Sequence, residues 1–228
     1  MKTVFPGAFA RVVLCLHKPS SQYFALKMLS SPEVGTGRLK QVVHVKCEMD
    51  ILQVMKTLSK YCQISELQEV HHPFLIPLLQ TSKDSSNPLL LFPYINGGKL
   101  YSHLRKARKF SSSTTLFFSE EIVSALSYLH SLNIVHRDLK PKNILLDKEG
   151  HVVIIDFGFS KKITERSSTL CGTQKYLAPE IIECTGHDKG VDWWALGILI
   201  YEMLVGYPPF FDENPFLISQ KILTEKIK

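Results

Sequence analysis

The residues best suited to chemistry lie in three short runs in the second half of the chain. The first run is His136-Arg137-Asp138-Leu139-Lys140-Pro141-Lys142-Asn143, the second is Asp156-Phe157-Gly158, and the third is Ala178-Pro179-Glu180. Together they hold a carboxylate that could accept a proton, a lysine that could neutralise a phosphate, and two oxygen-bearing side chains of the kind that Mg²⁺ prefers. Transfer of a phosphoryl group to a hydroxyl needs a proton acceptor, cations on the phosphates and in-line geometry. The order and spacing of the runs therefore indicate phosphoryl transfer.

The composition of the chain is that of a folded domain. The 228 residues are 45% hydrophobic, which is enough to bury a substantial core in one domain with up to two lobes. The net charge of +6 comes from scattered residues, and we interpret the one basic run, residues 105–109, as a solvated helix end. We therefore expect no binding to nucleic acid.

The cysteines and the hydropathy pattern bear on the compartment. The five cysteines form no CxxC pair, and the chain starts without the charged and apolar regions of a signal peptide. No apolar stretch reaches the length of a membrane span. These observations predict a reduced, intracellular protein without membrane insertion, located in the cytoplasm, with the nucleus as a second candidate.

Short apolar runs predict strands in the first part of the chain. Residues 12–16 and 23–27 flank a turn-rich segment and predict a hairpin, and residues 89–92 predict another strand. Apolar residues at three- and four-residue spacing after Leu39 predict a helix between these strands. The sequence Asn-Gly-Gly at residues 96–98 breaks regular structure and is the predicted boundary between two lobes.

Helical periodicity dominates the second part of the chain. Residues 117–132 place Ile122, Ala125 and Leu129 on one side, which predicts a helix with one buried face. Residues 191–203 are apolar nearly all round, which predicts a helix buried in the centre of its lobe.

Two further segments identify a family. Thr169-Leu170-Cys171-Gly172-Thr173 and Val191-Asp192-Trp193-Trp194-Ala195-Leu196-Gly197 are typical of the AGC group of serine/threonine protein kinases. Taken with the three catalytic runs, they make the chain resemble this family over nearly its whole length. Within the family it is similar to the cAMP-dependent protein kinase catalytic subunits and protein kinase X.

The resemblance implies an α+β, two-lobed protein-kinase fold. A small β-rich N-lobe would carry one major helix, and a larger helical C-lobe would follow. The chain would then be one partial kinase domain, with an N-lobe at 1–93 that contains an insertion at about 54–70, a hinge at 94–98 and a truncated C-lobe at 99–228.

The resemblance also assigns roles around the catalytic loop. Asp138 would accept the proton of the substrate hydroxyl, and Lys140 would neutralise charge on the transferred group. Asn143 and Asp156 would hold Mg²⁺, and Thr173 would bridge Asp138 and Lys140. A lysine two residues after the catalytic aspartate favours serine and threonine over tyrosine substrates.

The nucleotide would be ATP. Lys27 would contact the inner phosphates, and Glu48 on the following helix would pair with it. The full set implied for cofactor binding is Gly7, Phe9, Val12, Ala25, Lys27, Glu48, Phe92, Tyr94, Ile95, Leu145 and Asp156.

A phosphorylation switch is implied as well. Thr169 falls on the family's activating phosphosite, and the three cations that would bind its phosphate are His44, Arg137 and Lys161. Asp192 would hold the catalytic loop from the buried helix.

The peptide groove departs from the family pattern. Carboxylates that select arginine in cyclic-nucleotide-dependent kinases are replaced here by Lys99, Lys142 and Lys175, and only Glu202 remains. We therefore expect basic peptides to be poor substrates, because like charges across an interface repel.

Other departures weaken the match. In the glycine-rich phosphate loop, Phe5 and Ala10 stand where the family has glycine. The chain resembles a fragment at both ends, and the arginine that would pair with Glu180 lies in helices that are expected beyond residue 228.

The predicted function is therefore an ATP-dependent serine/threonine protein kinase that uses Mg²⁺. We expect a monomer that acts on protein substrates, with a regulatory subunit as a further candidate partner. The alternative is a catalytically weak or inactive kinase-like binding module, or a truncated gene product.

Overall fold

The computed structural model describes residues 2–6, 10–29, 49, 51, 72–84, 87–163 and 165–227. The chain forms two compact units, and the division between them falls between Ile95 and Asn96, at the predicted breaker sequence. The segment His72–Phe74 belongs to the second unit, although it precedes the last strands of the first. The predicted insertion at about 54–70 lies outside the described residues.

The first unit is built on a five-stranded antiparallel sheet with strand order β1-β2-β3-β5-β4. The predicted hairpin and the predicted later strand are confirmed as β2, β3 and β5. Of the helix predicted after Leu39, only Met49 and Ile51 are described, and both are helical. The strands are β1 (Lys2–Pro6), β2 (Ala10–His17), β3 (Gln22–Leu29), β4 (Gln80–Asp84) and β5 (Asn87–Pro93).

The second unit is mainly helical. Its five helices within the described residues are α1 (Leu100–Ala107), α2 (Ser112–Ser131), α3 (Pro179–Ile182), α4 (Gly190–Val205) and α5 (Pro215–Thr224). Two small antiparallel pairs lie among them: β6 (Ile134–Val135) with β9 (Lys161–Lys162), and β7 (Ile144–Leu146) with β8 (Val152–Ile154). None of the helices in the described part of the chain is long and apolar enough to span a membrane.

Helix α2 follows the predicted pattern. It begins after Ser111, whose side chain accepts a hydrogen bond from the backbone N–H of Thr114 at 3.1 Å, a common N-cap arrangement. The apolar residues at three- and four-residue spacing, Ile122, Ala125 and Leu129, are fully buried. The helix therefore forms one wall of the core of this unit.

Helix α4 is less buried than predicted. Val191, Leu199 and Met203 lie in the core, but Trp193 is 40% exposed and Val205 is 38% exposed. The predicted burial of residues 191–203 is therefore confirmed for most of the helix and wrong at Trp193, whereas Val205 lies beyond the predicted residues. Trp193 packs its ring edge-on against the ring of His130 and leaves its other side in water.

Candidate active site

The β7–β8 pair places the two candidate metal ligands side by side. Asn143 precedes β7, and Asp156 follows β8 after one residue. Because the strands are antiparallel, the start of one lies beside the end of the other. The backbone N–H of Ile155 donates to the backbone carbonyl of Asn143 at 2.9 Å, which locks the two ends together.

The carboxylate of Asp138 is the centre of a dense polar network. Lys140 Nζ donates to Asp138 Oδ2 at 2.6 Å, and Asn143 Nδ2 donates to the same oxygen at 2.8 Å. Thr173 Oγ1 donates to Asp138 Oδ1 at 2.6 Å and accepts from Lys140 Nζ at 2.6 Å. The predicted bridge from Thr173 to Asp138 and Lys140 is therefore present in the structure.

This network leaves a suitable oxygen for a cation. Asn143 Nδ2 donates both to the backbone carbonyl and to the carboxylate of Asp138. Because the amide nitrogen makes both bonds, the amide oxygen of Asn143 is turned away from Asp138. Asp156 is exposed nearby, and its φ of 68° is a left-handed value that non-glycine residues adopt only rarely. A carboxylate and an amide oxygen fit Mg²⁺, which usually keeps several waters and takes its other ligands from phosphates.

A buried aspartate from helix α4 holds the loop that carries Asp138. Asp192 is 0% exposed and accepts hydrogen bonds from the backbone N–H groups of His136 and Arg137, each at 2.8 Å. His130 Nε2 contacts the same carboxylate at 2.8 Å. These contacts stabilise the φ of 65° at Arg137, a left-handed conformation that a non-glycine residue adopts only when its surroundings enforce it.

Gly172 allows Thr173 to reach the loop. Its φ of 111° is one that side chains rarely adopt, and a Cβ atom there would lie 2.8 Å from the carbonyl oxygen of Arg137. Only glycine fits at this approach, so the position of Thr173 against Asp138 depends on it.

The three lysines of the predicted groove all lie in this unit. Lys142 Nζ lies 5.0 Å from the ring centroid of Tyr101, and Lys175 Nζ lies 4.1 Å from that of Phe211. Burial lowers the pKa of Lys99, and the charges of Lys142 and Lys140 lower it further, against an opposing effect of Asp156. Lys99 is therefore close to the candidate metal ligand as well as to the other cations.

The remaining acid of the groove, Glu202, does not face solvent. It is 2% exposed, and its two oxygens are engaged by the guanidinium of Arg105 and the hydroxyl of Tyr176. Burial, the charge of Glu202 and the hydrogen bond to it raise the pKa of Tyr176. Glu202 thus acts here as the buried partner of a cation and a phenol.

Two of the three predicted phosphate-binding cations meet near Thr169. Lys161 Nζ and an Arg137 Nη atom contact the hydroxyl of Ser167 at 3.2 and 3.5 Å. Ser167 in turn contacts the hydroxyl of Thr169 at 3.4 Å, and Thr169 itself is exposed. His44, the third predicted cation, lies outside the described residues.

The residues predicted for the nucleotide are described only in part. The register of the sheet pairs Val12 with Lys27 and Ala25 with Phe92, so all four share one face of the first unit. In the same unit Tyr94 is exposed against the ring of Tyr23, and Ile95 is half-buried. In the second unit Leu145 is half-buried on β7. Gly7, Phe9 and Glu48, and the side chain of Phe5, lie outside the described residues.

Several functional candidates were missed by the sequence analysis. Glu121 is buried and bonds to His151 Nδ1 at 2.5 Å, and Ser167 and His187 are buried beside the switch cations. Glu121 had a sequence signal, because it lies four residues before Ala125 and eight before Leu129 and so falls on the buried stripe of α2. Ser167 and His187 had none, since their significance depends on contacts between distant segments.

Comparison with known proteins matches residues 2–228 to a family model described as the protein kinase domain. The cAMP-dependent protein kinase catalytic subunit 3 of Drosophila melanogaster is 54% identical over 228 residues, covering 100% of this chain and 36% of that protein. The cAMP-dependent protein kinase catalytic subunit PRKX of Homo sapiens is 52% identical over 227 residues, covering 100% of this chain and 59% of that protein.

A more distant relative gives the same picture. The cAMP-dependent protein kinase catalytic subunit of Dictyostelium discoideum is 47% identical over 227 residues, covering 100% of this chain and 32% of that protein. The chain therefore spans between about a third and three fifths of the length of these relatives.

Proposed function

Because this chain belongs to the protein kinase family, we propose that it transfers the γ-phosphate of ATP to serine and threonine hydroxyls of other proteins. The observation that carries the proposal is the network around Asp138, which joins Lys140, Asn143 and Thr173 from segments up to 35 residues apart. The relatives of the chain are named as catalytic subunits of a protein kinase, which supports the proposed activity.

The residues of the network divide the work of phosphoryl transfer. The carboxylate of Asp138 would orient the substrate hydroxyl and take its proton, because its two oxygens are fixed by their bonds to Thr173 and Lys140. The ammonium of Lys140 would neutralise charge on the transferred group. Mg²⁺, held by Asn143 and Asp156, would supply the positive charge that the outer phosphates of ATP need.

Nucleotide binding is proposed for the face of the sheet in the first unit. Val12, Ala25 and Phe92 would contact the adenine, and Lys27 on the same face would reach the inner phosphates. Tyr94, Ile95, Gly7, Phe9 and Glu48 complete the set proposed for this unit.

We propose that Thr169 is the regulatory phosphosite. Its exposure leaves it accessible to an activating kinase. Arg137 and Lys161 both contact the hydroxyl of Ser167, which in turn contacts the hydroxyl of Thr169. Charge-assisted hydrogen bonds from these cations would stabilise a phosphate there more strongly than neutral ones.

The substrates are proposed to be acidic or neutral near the target hydroxyl. Lys99, Lys142 and Lys175 present positive charge, and the nearby acid Glu202 is buried against Arg105. A basic peptide would meet like charges on this surface, which can cost several kcal/mol across an interface.

Nucleotide binding can be tested without any substrate. The thermal midpoint of the chain should rise with ATP and Mg²⁺ and rise less with ATP and a chelator, because ligands that bind only the folded state stabilise it. Asp156→Asn should remove the effect of Mg²⁺, whereas the exposed matched variant Asp188→Asn should keep it.

The outcomes separate the proposal from its alternative. Binding of ATP and Mg²⁺ together with transfer to a protein supports a kinase. Binding without transfer would support the kinase-like binding module instead, and a midpoint that does not respond to ATP at all would overturn the proposed nucleotide site.

A further inference from the structure

A small buried cluster lies where the segment after Gly158 meets the segment before α4. The backbones of Ser167 and His187 form a reciprocal pair, with each N–H donating to the other's carbonyl oxygen at 2.9 Å. The Ser167 hydroxyl, 2% exposed, contacts both Lys161 and Arg137. The cluster therefore holds two cations, one hydroxyl and one imidazole in a single place.

The imidazole of His187 is unusual within the described part of the chain. The side chain is 3% exposed, and its Nε2 atom is buried without a hydrogen-bond partner among the described residues. An unpaired buried polar atom costs about 1 to 3 kcal/mol, so such atoms are uncommon in native proteins and point to an absent partner.

The charges around His187 show what kind of partner would fit. Burial lowers the pKa of His187, and the positive charges of Arg137 and Lys161 lower it further, while Asp188 and Asp192 act in the opposite direction. Burial and, to a smaller extent, the two cations therefore favour the neutral imidazole. An anion among the cations would reverse their effect and would accept a hydrogen bond from Nε2.

We propose that His187 is a further ligand of the phosphate on Thr169, donating from Nε2 to a phosphate monoester that Arg137 and Lys161 also bind. The Thr169 hydroxyl already contacts that of Ser167 at 3.4 Å, so a phosphate on Thr169 starts at the edge of the cluster. A phosphothreonine carries a charge of about −1.5 to −2 near neutral pH, enough to outweigh the effect of the cations on the imidazole.

This role makes the switch dependent on pH. In the unphosphorylated chain burial, Arg137 and Lys161 lower the pKa against the opposing effect of Asp188 and Asp192, which favours the neutral form of His187. In the phosphorylated chain it takes up a proton, because the phosphate stabilises the imidazolium. The contact between His187 and the phosphate therefore weakens as pH rises through the pKa of the imidazole.

The role of His187 depends on the proposed regulation at Thr169. The test therefore measures the binding of the phosphate and the role of His187 separately. The chain is prepared with and without phosphothreonine at position 169, and both forms are titrated by NMR. The ³¹P signal gives the second pKa of the phosphate, and the imidazole signals give the pKa of each histidine. Neither measurement needs catalytic activity.

The expected result is a rise of the His187 pKa by at least about one pH unit on phosphorylation. The pKa of His72 serves as the matched control, because burial lowers it too, but without any contribution from Arg137 or Lys161. It should be the same in both forms. The phosphate pKa should fall below the value of about 6 that is usual for a phosphothreonine.

The other outcomes are equally informative. A lowered phosphate pKa with an unmoved His187 would overturn the role of His187 and leave the regulation at Thr169 standing. An unmoved phosphate pKa would mean that the phosphate does not enter the cluster, and both would fall.

A variant of His187 tests the same contact through the pKa of the phosphate. His187→Gln keeps a polar side chain but cannot become charged, so the phosphate pKa should be about half a unit or more higher than in the wild type. An identical phosphate pKa in a variant that is still folded would contradict the proposal.

Discussion

At the scale of single residues, the candidate site depends on hydrogen bonds that fix a carboxylate before any substrate binds. Both oxygens of Asp138 are engaged, one by Thr173 and the other by Lys140 and Asn143. Such preorganisation is worth most when charge develops during the reaction, because the groups need not move. The same bonds make the role of each residue measurable.

Thr173→Val should reduce turnover about 10- to 100-fold, since it removes a hydroxyl that bonds to a charged group at almost constant volume. The free energy of unfolding should change little, because Thr173 is only half-buried. Turnover measured with a peptide substrate, alongside Thr185→Val as an exposed control, checks this. Equal turnover in the Thr173 variant and the wild type would contradict the assigned contact.

A second prediction concerns the pH dependence of stability. The hydrogen bond and the charge of Glu121 raise the pKa of His151. The pair of protonated His151 with Glu121 therefore stabilises the folded chain. This stabilisation is fully present below the ordinary histidine pKa of about 6.5 and is lost as pH rises through the raised pKa of His151.

The measurement is the urea midpoint of the wild type and of Glu121→Gln from pH 5.5 to about pH 9. Histidine is neutral at the alkaline end of this range. The wild type should exceed the variant most at the acidic end, and the gap should narrow towards the alkaline end. A gap that stays constant across the range would show that protonation of His151 does not contribute.

At the scale of elements, helix α4 acts as the support for the catalytic loop. Asp192, in its first turn, accepts the backbone N–H groups of His136 and Arg137 and contacts His130 of α2. A helix of the core thus determines the conformation of a loop next to Asp138.

Asp192→Ala should lower the free energy of unfolding by about 3 kcal/mol or more, because it leaves two buried N–H groups without acceptors. Urea denaturation gives the value directly. The exposed variant Glu183→Ala should change it by less than about 0.5 kcal/mol. A loss for Asp192→Ala as small as that of the control would mean that the loop is held by other contacts.

From the pattern of residue types alone, the elements were largely predictable and the contacts between distant segments were not. The hairpin of β2 and β3 and the buried face of α2 follow from apolar spacing, which is a local property of the chain. The pair of Glu121 with His151 spans 30 residues, and Ser167 lies 30 residues from the Arg137 that it contacts. Such pairs depend on how segments pack, which periodicity does not report.

The catalytic contacts were more predictable than the switch. The bridge from Thr173 to Asp138 was expected from the family resemblance, and the structure contains it. The resemblance assigned Thr169 its cations but said nothing of Ser167 and His187, although Ser167 contacts Arg137 and Lys161 and both residues are buried. The burial of α4 was over-estimated at Trp193, because an apolar side chain can remain exposed near the end of a helix.

At the scale of the whole molecule, the chain has the two-lobed α+β kinase fold that the sequence predicted. The proposed preference for acidic or neutral peptides depends on charges that lie in its second unit. Lys99, Lys142 and Lys175 lie in the unit that carries Asp138, and Glu202 is buried against Arg105. Substrate choice should therefore follow the charge of the peptide.

The triple variant Lys99→Glu/Lys142→Glu/Lys175→Glu should reverse the preference between an acidic and a basic peptide of equal length. The wild type should have the higher kcat/KM for the acidic peptide, by about tenfold or more, since each 1.4 kcal/mol of repulsion corresponds to tenfold. A wild-type preference for the basic peptide that the reversals leave unchanged would remove these lysines from the peptide groove.

The central claim is that the chain is a protein kinase in which Asp138 accepts the proton of the substrate hydroxyl. One assay tests this claim most directly. The chain is incubated with γ-³²P-labelled ATP, Mg²⁺ and a mixture of acidic and neutral peptides that contain serine, threonine or tyrosine. Label should appear on serine and threonine, and Asp138→Asn should reduce it by about 10²- to 10⁴-fold while the protein remains folded. Absence of transfer by the wild type, or equal transfer by the Asp138→Asn variant, would contradict the claim.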